Sequence, residues 1–236
     1  MSSSKTNPSR KRLRTARQVS ALSRDYYAKA RQAKRKGQPI GWHLGIAPYE
    51  LMRILGVFPL MPENFASLLT AKGQTDLYVQ KADEQGYARE GCSLHRVILG
   101  YALSGEELMI PEPDFLLASD NPCDGTSKAS STIVEHFRIP YYYLDTPYHG
   151  STIWPSAPEP DQVSYYLGQL QELIEMLEEI TDRKLEEEPL QEHLSLAAQA
   201  CALWGEINEL RKVVPCPMGA AEEVGALYPL VQLLGT

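Results

Sequence analysis

Two cysteines open the question of chemistry: Cys92, in Gly91-Cys92-Ser93-Leu94-His95-Arg96, and Cys123, in Asp120-Asn121-Pro122-Cys123-Asp124. Cys92 follows a glycine and opens a helical pattern, whereas Cys123 follows an apolar run that ends in turn residues. Two thiolates at such edges could reach one metal or cluster. Read alone, a pair so far apart in sequence more often means two buried small hydrophobes, the commonest fate of an intracellular cysteine. Glu50, in Pro48-Tyr49-Glu50-Leu51, stands at the mouth of the first strand-turn-helix and is a candidate substrate-facing acid or base. Its bland alternative is an acid in a first helical turn, favourable to the dipole. His43, at the end of the first predicted strand, points toward the same region and ranks below Glu50, since a lone histidine is more often a packing residue. His149 falls at another carboxyl edge, and His95 and His136 lie within helices with no partner that sequence reveals. Cys201 reads as core on a helical apolar face, and Cys216, between Pro215 and Pro217, fits either role.

The elements that must hold these groups follow from periodicity and turn chemistry. Tyr26, Tyr27, Ala30 and Ala33 share one stripe of a helix from about Val19 to Lys36, and Gly37-Gln38-Pro39 ends it. Pro39 to His43 reads as a strand, and Tyr49 to Leu55 as a helix stopped by Gly56. Val57 to Leu60 makes a short apolar edge, Glu63 to Ala71 and Asp76 to Gln85 are helices, and Cys92 opens another through Tyr101. Phe115-Leu116-Leu117-Ala118, between Pro113 and Asp120-Asn121-Pro122, has the continuous apolar character of a buried parallel strand. A helix from about Ser127 to Phe137 and a strand from Tyr141 to Leu144 follow. Alternating strands and helices predict an α/β fold with a parallel sheet. Ligands of such folds sit beyond the carboxyl ends of the strands, which is where Cys123 falls. After Pro155, Pro158 and Pro160 the grammar changes to long helical periods, Tyr166, Leu170, Leu173, Leu177 and Ile180 first, then Pro189 to Lys212, a helical hairpin. A last helix covers Ala221 to Leu234, and its Leu227, Leu230, Val231, Leu233 and Leu234 are expected to form an exposed apolar patch.

Several of these pieces, taken in order, resemble one family. Gly41-Trp42-His43-Leu44-Gly45-Ile46-Ala47-Pro48-Tyr49-Glu50-Leu51-Met52-Arg53, then Pro62-Glu63-Asn64, Cys92, Pro113-Asp114 through Cys123-Asp124, Ile139-Pro140 and Leu144-Asp145-Thr146-Pro147 look like the 2-hydroxyacyl-CoA dehydratase / benzoyl-CoA reductase family, over about residues 25–236. The resemblance implies a Rossmann-like α/β domain and a 4Fe-4S cluster held through three cysteines in each of two related subunits. Cys92 and Cys123 match two of those ligands, and the third normally comes from a second α/β domain, so it is not obviously present here. A cluster iron with three thiolates keeps one open position for a thioester carbonyl. The resemblance further implies an acyl-CoA thioester substrate, a sister subunit and an ATP-dependent activator protein that delivers a low-potential electron. The substrate then becomes a ketyl radical and loses its hydroxyl, making the enzyme a lyase; ring reduction by a benzoyl-CoA reductase-type subunit is the alternative, and a scaffold without a cluster the rival. Glu63 and Asn64 resemble the Pro-Glu-Asn element of the reductase branch, and could bond substrate or merely cap a helix.

The remaining composition bounds these readings. The chain of 236 residues carries a net charge of -7, 43% hydrophobic and 22% charged residues, ordinary for a globular protein. Residues 1–36 hold twelve Lys or Arg and one acid, and the rest eleven bases and twenty-nine acids. A basic arm, residues 1–24 and disordered, therefore precedes an acidic body: the α/β domain at 25–150, a linker at 151–160 and the helical segment at 161–236. The arm reads as a solvated tail rather than a nucleic-acid reader, because no base-reading motif accompanies it. No apolar run approaches the roughly 20 residues that cross a bilayer. Four cysteines without a CxxC pair suit a reducing cytoplasm, and the resemblance points to an anaerobe. The cluster Glu178, Glu179, Glu186, Glu187 and Glu188 reads as a solvated face. With no Gly-rich phosphate loop, ATP must be handled by another protein.

Overall fold

The computed structural model describes residues 13–105, 109–147 and 158–236. The mixed α/β body is built on a four-stranded, all-parallel sheet in the order β2-β1-β3-β4. Its strands are β1 (Ile40–Leu44), β2 (Phe58–Leu60), β3 (Phe115–Ser119) and β4 (Tyr141–Leu144). Helix α1 (Ala16–Arg35) leads in, α2 (Tyr49–Ile54) joins β1 to β2, and α3 (Pro62–Ala71), α4 (Asp76–Glu84) and α5 (Ser93–Ala102) fill the crossover to β3. Helix α6 (Gly125–Phe137) joins β3 to β4, and α7 (Pro160–Thr181), α8 (Glu187–Leu210) and α9 (Ala220–Leu233) follow. The apolar stretch Val57 to Leu60 supplies the edge strand, so every predicted strand joins the sheet.

The order places β1 between β2 and β3, and the chain leaves β1 toward one side and returns across it to the other. That reversal is a topological switch point, where open parallel sheets keep their crevice. Alternation along β1 sends Ile40, Trp42 and Leu44 to one face and His43 to the other. The first face packs with Leu60, Leu116 and Ala118 against α1, α3, α5 and α6, and the second, through Phe115, Leu117 and Leu144, against α2 and α7. Trp42 is fully buried, donates its indole N–H to the Pro111 carbonyl at 2.9 Å and meets Phe137 edge-on. Asp114 works at the opposite, amino edge: it accepts the Ile40 N–H at 2.8 Å and pairs with Lys34 at 2.6 Å, fixing where β1 and β3 begin.

Some expectations change on contact with the structure. Helix α1 begins at Ala16, so Arg17 and Arg24 ride on a helix rather than in a loose arm; residues 1–12, most of the linker and His149 lie outside the described residues. Helices α7 and α8 stand where the hairpin is expected, and they seat on different supports, α7 on β4 and α8 on α2. Cys201 is exposed, not core, because α8 buries little beyond Ala197 and turns Leu194, Leu203 and Leu210 outward. The expected terminal patch is largely docked instead: Leu233 packs with the first core cluster, Val231 and Leu234 with the second, and the Arg53 guanidinium donates to the Gln232 carbonyl. No helix among the described residues is long and apolar enough to cross a membrane.

Candidate functional site

The loops that leave the carboxyl ends of β1, β2 and β3 are tied together by backbone geometry. Gly45 follows β1 with φ +79°, and a Cβ there would fall 2.7 Å from the Asn121 carbonyl and 2.8 Å from that of Ser119. Only glycine fits, because the backbone is left-handed and the β3 loop presses directly on it. The closeness lets the Ile46 N–H donate to the Asn121 carbonyl at 2.8 Å. Replacing Gly45 with alanine is expected to cost about 2 kcal/mol or more of stability, from strain and overlap together. A denaturant titration checks it; an unchanged midpoint would mean that the two loops yield freely.

The Gly45 N–H points at a carboxylate. Glu63, in the first turn of α3 just beyond β2, is buried and accepts that N–H through Oε2 at 3.1 Å. It does not cap its own helix, where Met61 stands at the cap without a side-chain bond. Its Oε1 lies 3.4 Å from His95 Nε2. Asn64 beside it is also buried and accepts the Tyr27 hydroxyl, which fixes the start of α3 against α1.

Cys123 sits four residues beyond β3, after the cis Asn121–Pro122 peptide and at the threshold of α6. The Thr126 hydroxyl donates to the Ser119 and Cys123 carbonyls and holds this turn closed. The half-buried Cys123 Sγ accepts the Gly125 N–H at 3.3 Å. Cys92 is exposed and stands at the N-cap of α5, whereas Cys123 lies one residue before Asp124, the N-cap of α6. A Cβ on Gly125 would meet His95 Cε1 and Nδ1 at 3.2 Å and Cys123 Sγ at 3.3 Å. The two cysteine-bearing segments thus meet through His95, three residues after Cys92.

His43 is fully buried, its ring edge-on to Tyr49 at 4.5 Å, and neither nitrogen has a hydrogen-bond partner among the described residues. Burial lowers its pKa to about 3, with the Arg53 charge acting the same way and the Gly45 backbone offsetting part. A ring that is neutral and covered at pH 7 is poorly suited to proton transfer. Glu50, in the first turn of α2, is buried by the chain's own end: a Cβ on Gly235 would fall 3.2 Å from Glu50 Cγ and 3.3 Å from the His193 carbonyl.

The donors suit a thiolate-bound cluster in kind and fall short of it in number. Two cysteines stand at helix N-termini, one of them receiving an N–H bond, while Cys201 and Cys216 are exposed elsewhere. Among the described residues no group of three His, Cys, Asp or Glu side chains is arranged for a metal ion.

His95 is the residue that sequence reasoning passed over. The available signal was its i+3 spacing from Cys92, which puts both on one side of a first turn. Its partner Glu63 lies 32 positions away on another helix, a pairing that periodicity cannot show.

A parallel sheet with cysteine and carboxylate loops at its switch point defines the class, and comparison places the chain within it. Residues 45–236 match the family model described as 2-hydroxyglutaryl-CoA dehydratase, D-component, and the chain belongs to that family. It is 28% identical over 209 residues to the (R)-phenyllactyl-CoA dehydratase alpha subunit of Clostridium sporogenes, covering 88% of this chain and 50% of that protein. It is 29% identical over 188 residues to the (R)-2-hydroxyisocaproyl-CoA dehydratase alpha subunit of Clostridioides difficile, covering 79% and 45%. The lactoyl-CoA dehydratase subunit alpha of Anaerotignum propionicum is 28% identical over 207 residues, with 80% and 48% covered. The chain spans about half the length of these relatives.

Proposed function

We propose that this chain is part of a 2-hydroxyacyl-CoA dehydratase-like lyase, a cytoplasmic enzyme that eliminates water from an acyl-CoA thioester. The observation that carries the reading is the approach of Glu63, through His95, to the Cys123 loop at the switch-point edge, in a chain whose named relatives are CoA dehydratase alpha subunits. Cys92 and Cys123 would hold a 4Fe-4S cluster, with the remaining thiolate supplied from outside this pair. When bound, such a cluster supplies a low-potential electron, received from an ATP-dependent activator, and a Lewis-acidic iron.

The chain's own residues do the rest. Glu63, anchored at Oε2, keeps Oε1 available to hold or pass a proton at the substrate. Glu50 is the second acid, and it requires the end of α9 to withdraw from it. His43 backs Tyr49 as a neutral ring. A sister subunit is expected, since the relatives are named as alpha subunits. It would cover the outward apolar residues of α8, Leu194, Leu203 and Leu210, together with Val213 and Val214 beyond.

Iron and sulfide analysis on protein purified without oxygen tests the cluster. Near-equal iron and acid-labile sulfide with a broad visible absorption band is the expected result, and a colourless, iron-free chain even beside its sister subunit would leave only the scaffold. A change in the reduced cluster's magnetic spectrum on adding a 2-hydroxyacyl-CoA separates a catalytic cluster from an electron relay.

A further inference from the structure

We propose that His95 is a positioning residue of this site, holding the Glu63 carboxylate toward the loop that carries Cys123. The pairing stands on geometry alone; its catalytic consequence rests on the dehydratase reading. Glu63 has one oxygen fixed, Oε2 receiving the Gly45 N–H at 3.1 Å. The other, Oε1, faces His95 Nε2 at 3.4 Å, and both side chains are about one-tenth exposed. The far edge of the imidazole faces the thiol loop: Cε1 and Nδ1 lie 3.2 Å from where a Cβ on Gly125 would stand, and Cys123 Sγ lies 3.3 Å from the same point. The ring therefore lies between carboxylate and thiol loop, and turning it over would lose the Glu63 partner.

This arrangement selects a tautomer. A neutral imidazole that donates to a carboxylate carries its proton on Nε2 and leaves Nδ1 toward Gly125. At 3.4 Å the bond is long, as such bonds are before substrate closes a site. Two donors on one carboxylate set the direction of its remaining lone pairs, so a proton at Oε1 is presented along one line. Leucine at position 95 would fill the space without donating, whereas glutamine keeps an N–H for Glu63.

Nitrogen spectra of the full chain labelled at histidine test the pair, with His95 identified by its loss in His95→Gln. The expected result is an Nε2–H tautomer whose Nε2 signal moves in Glu63→Gln while that of the exposed His136 stays. An Nδ1–H tautomer, or a signal indifferent to Glu63→Gln, overturns the proposal. In the assembled enzyme, His95→Leu is expected to lower kcat by about 10- to 100-fold with KM nearly constant, and His95→Gln to recover to within ~5-fold of the unsubstituted chain. Equal loss in both variants would reduce His95 to packing and defeat the positioning role. If the unsubstituted assembly turns over no thioester, the proposed function fails, and the nitrogen spectra still decide the pairing.

Discussion

Cys123→Ser is expected to empty the proposed site and lower dehydration by about 10³-fold or more, roughly 4 kcal/mol of barrier at 1.36 kcal/mol per decade. Serine keeps the space and can accept the Gly125 N–H, so the loop and α6 should fold unchanged. Its oxygen is a hard donor where the site asks for soft sulfur, so iron loses its ligand while the protein keeps its shape. Iron content, the visible spectrum and thermal unfolding, measured together, separate these effects. Loss of iron and activity at constant melting temperature is the expected pattern. Cys201→Ser is the matched control, since that thiol is exposed on α8, and it should change none of the three. A Cys123→Ser protein that keeps a full complement of iron would exclude this residue as a ligand.

The fold should weaken steeply in mild acid because of His43. An unfolded chain protonates this ring near pH 6.5, whereas burial lowers the folded pKa to about 3. Between those values the unfolded state binds the extra proton, so stability is intact above about pH 6.5 and is lost as pH falls toward 3. At 1.36 kcal/mol per unit, the loss from this group is about 2 kcal/mol at pH 5 and approaches ~5 kcal/mol at pH 3. Denaturant titrations at pH 7 and pH 5 read it directly. In His43→Leu the drop between the two should shrink by about 2 kcal/mol, whatever the variant's stability at pH 7. An undiminished drop would mean that water or a moving loop reaches the ring.

The local grammar of this sequence is unusually direct. The tyrosine and alanine stripe made α1, the apolar run Phe115–Ala118 made β3, and Gly37 and Gly56 ended the helices they follow. These are decisions of backbone propensity and single-face periodicity, made within a few residues, so the sequence displays them. The family resemblance singled out Cys92, Cys123 and Glu63 as candidates through short motifs, which are likewise local in the chain, and Glu50 through its place after the first strand.

Burial on α8 and α9 was different. Both carry apolar residues at helical spacing, yet α8 turns most of its own outward and α9 docks. Spacing tells which residues share a face, not whether another element covers it. The meeting of Glu63 with Gly45 and His95 is a tertiary decision of the same kind. It depends on β1 lying between β2 and β3, which brings three loops from distant parts of the chain to one edge. The sequence by itself determined the elements and the residue types at the turns, because those depend on neighbours along the chain. Strand order, the environment that holds His43 neutral and the placing of His95 between carboxylate and thiol were decided only by the tertiary structure, because they depend on neighbours in space.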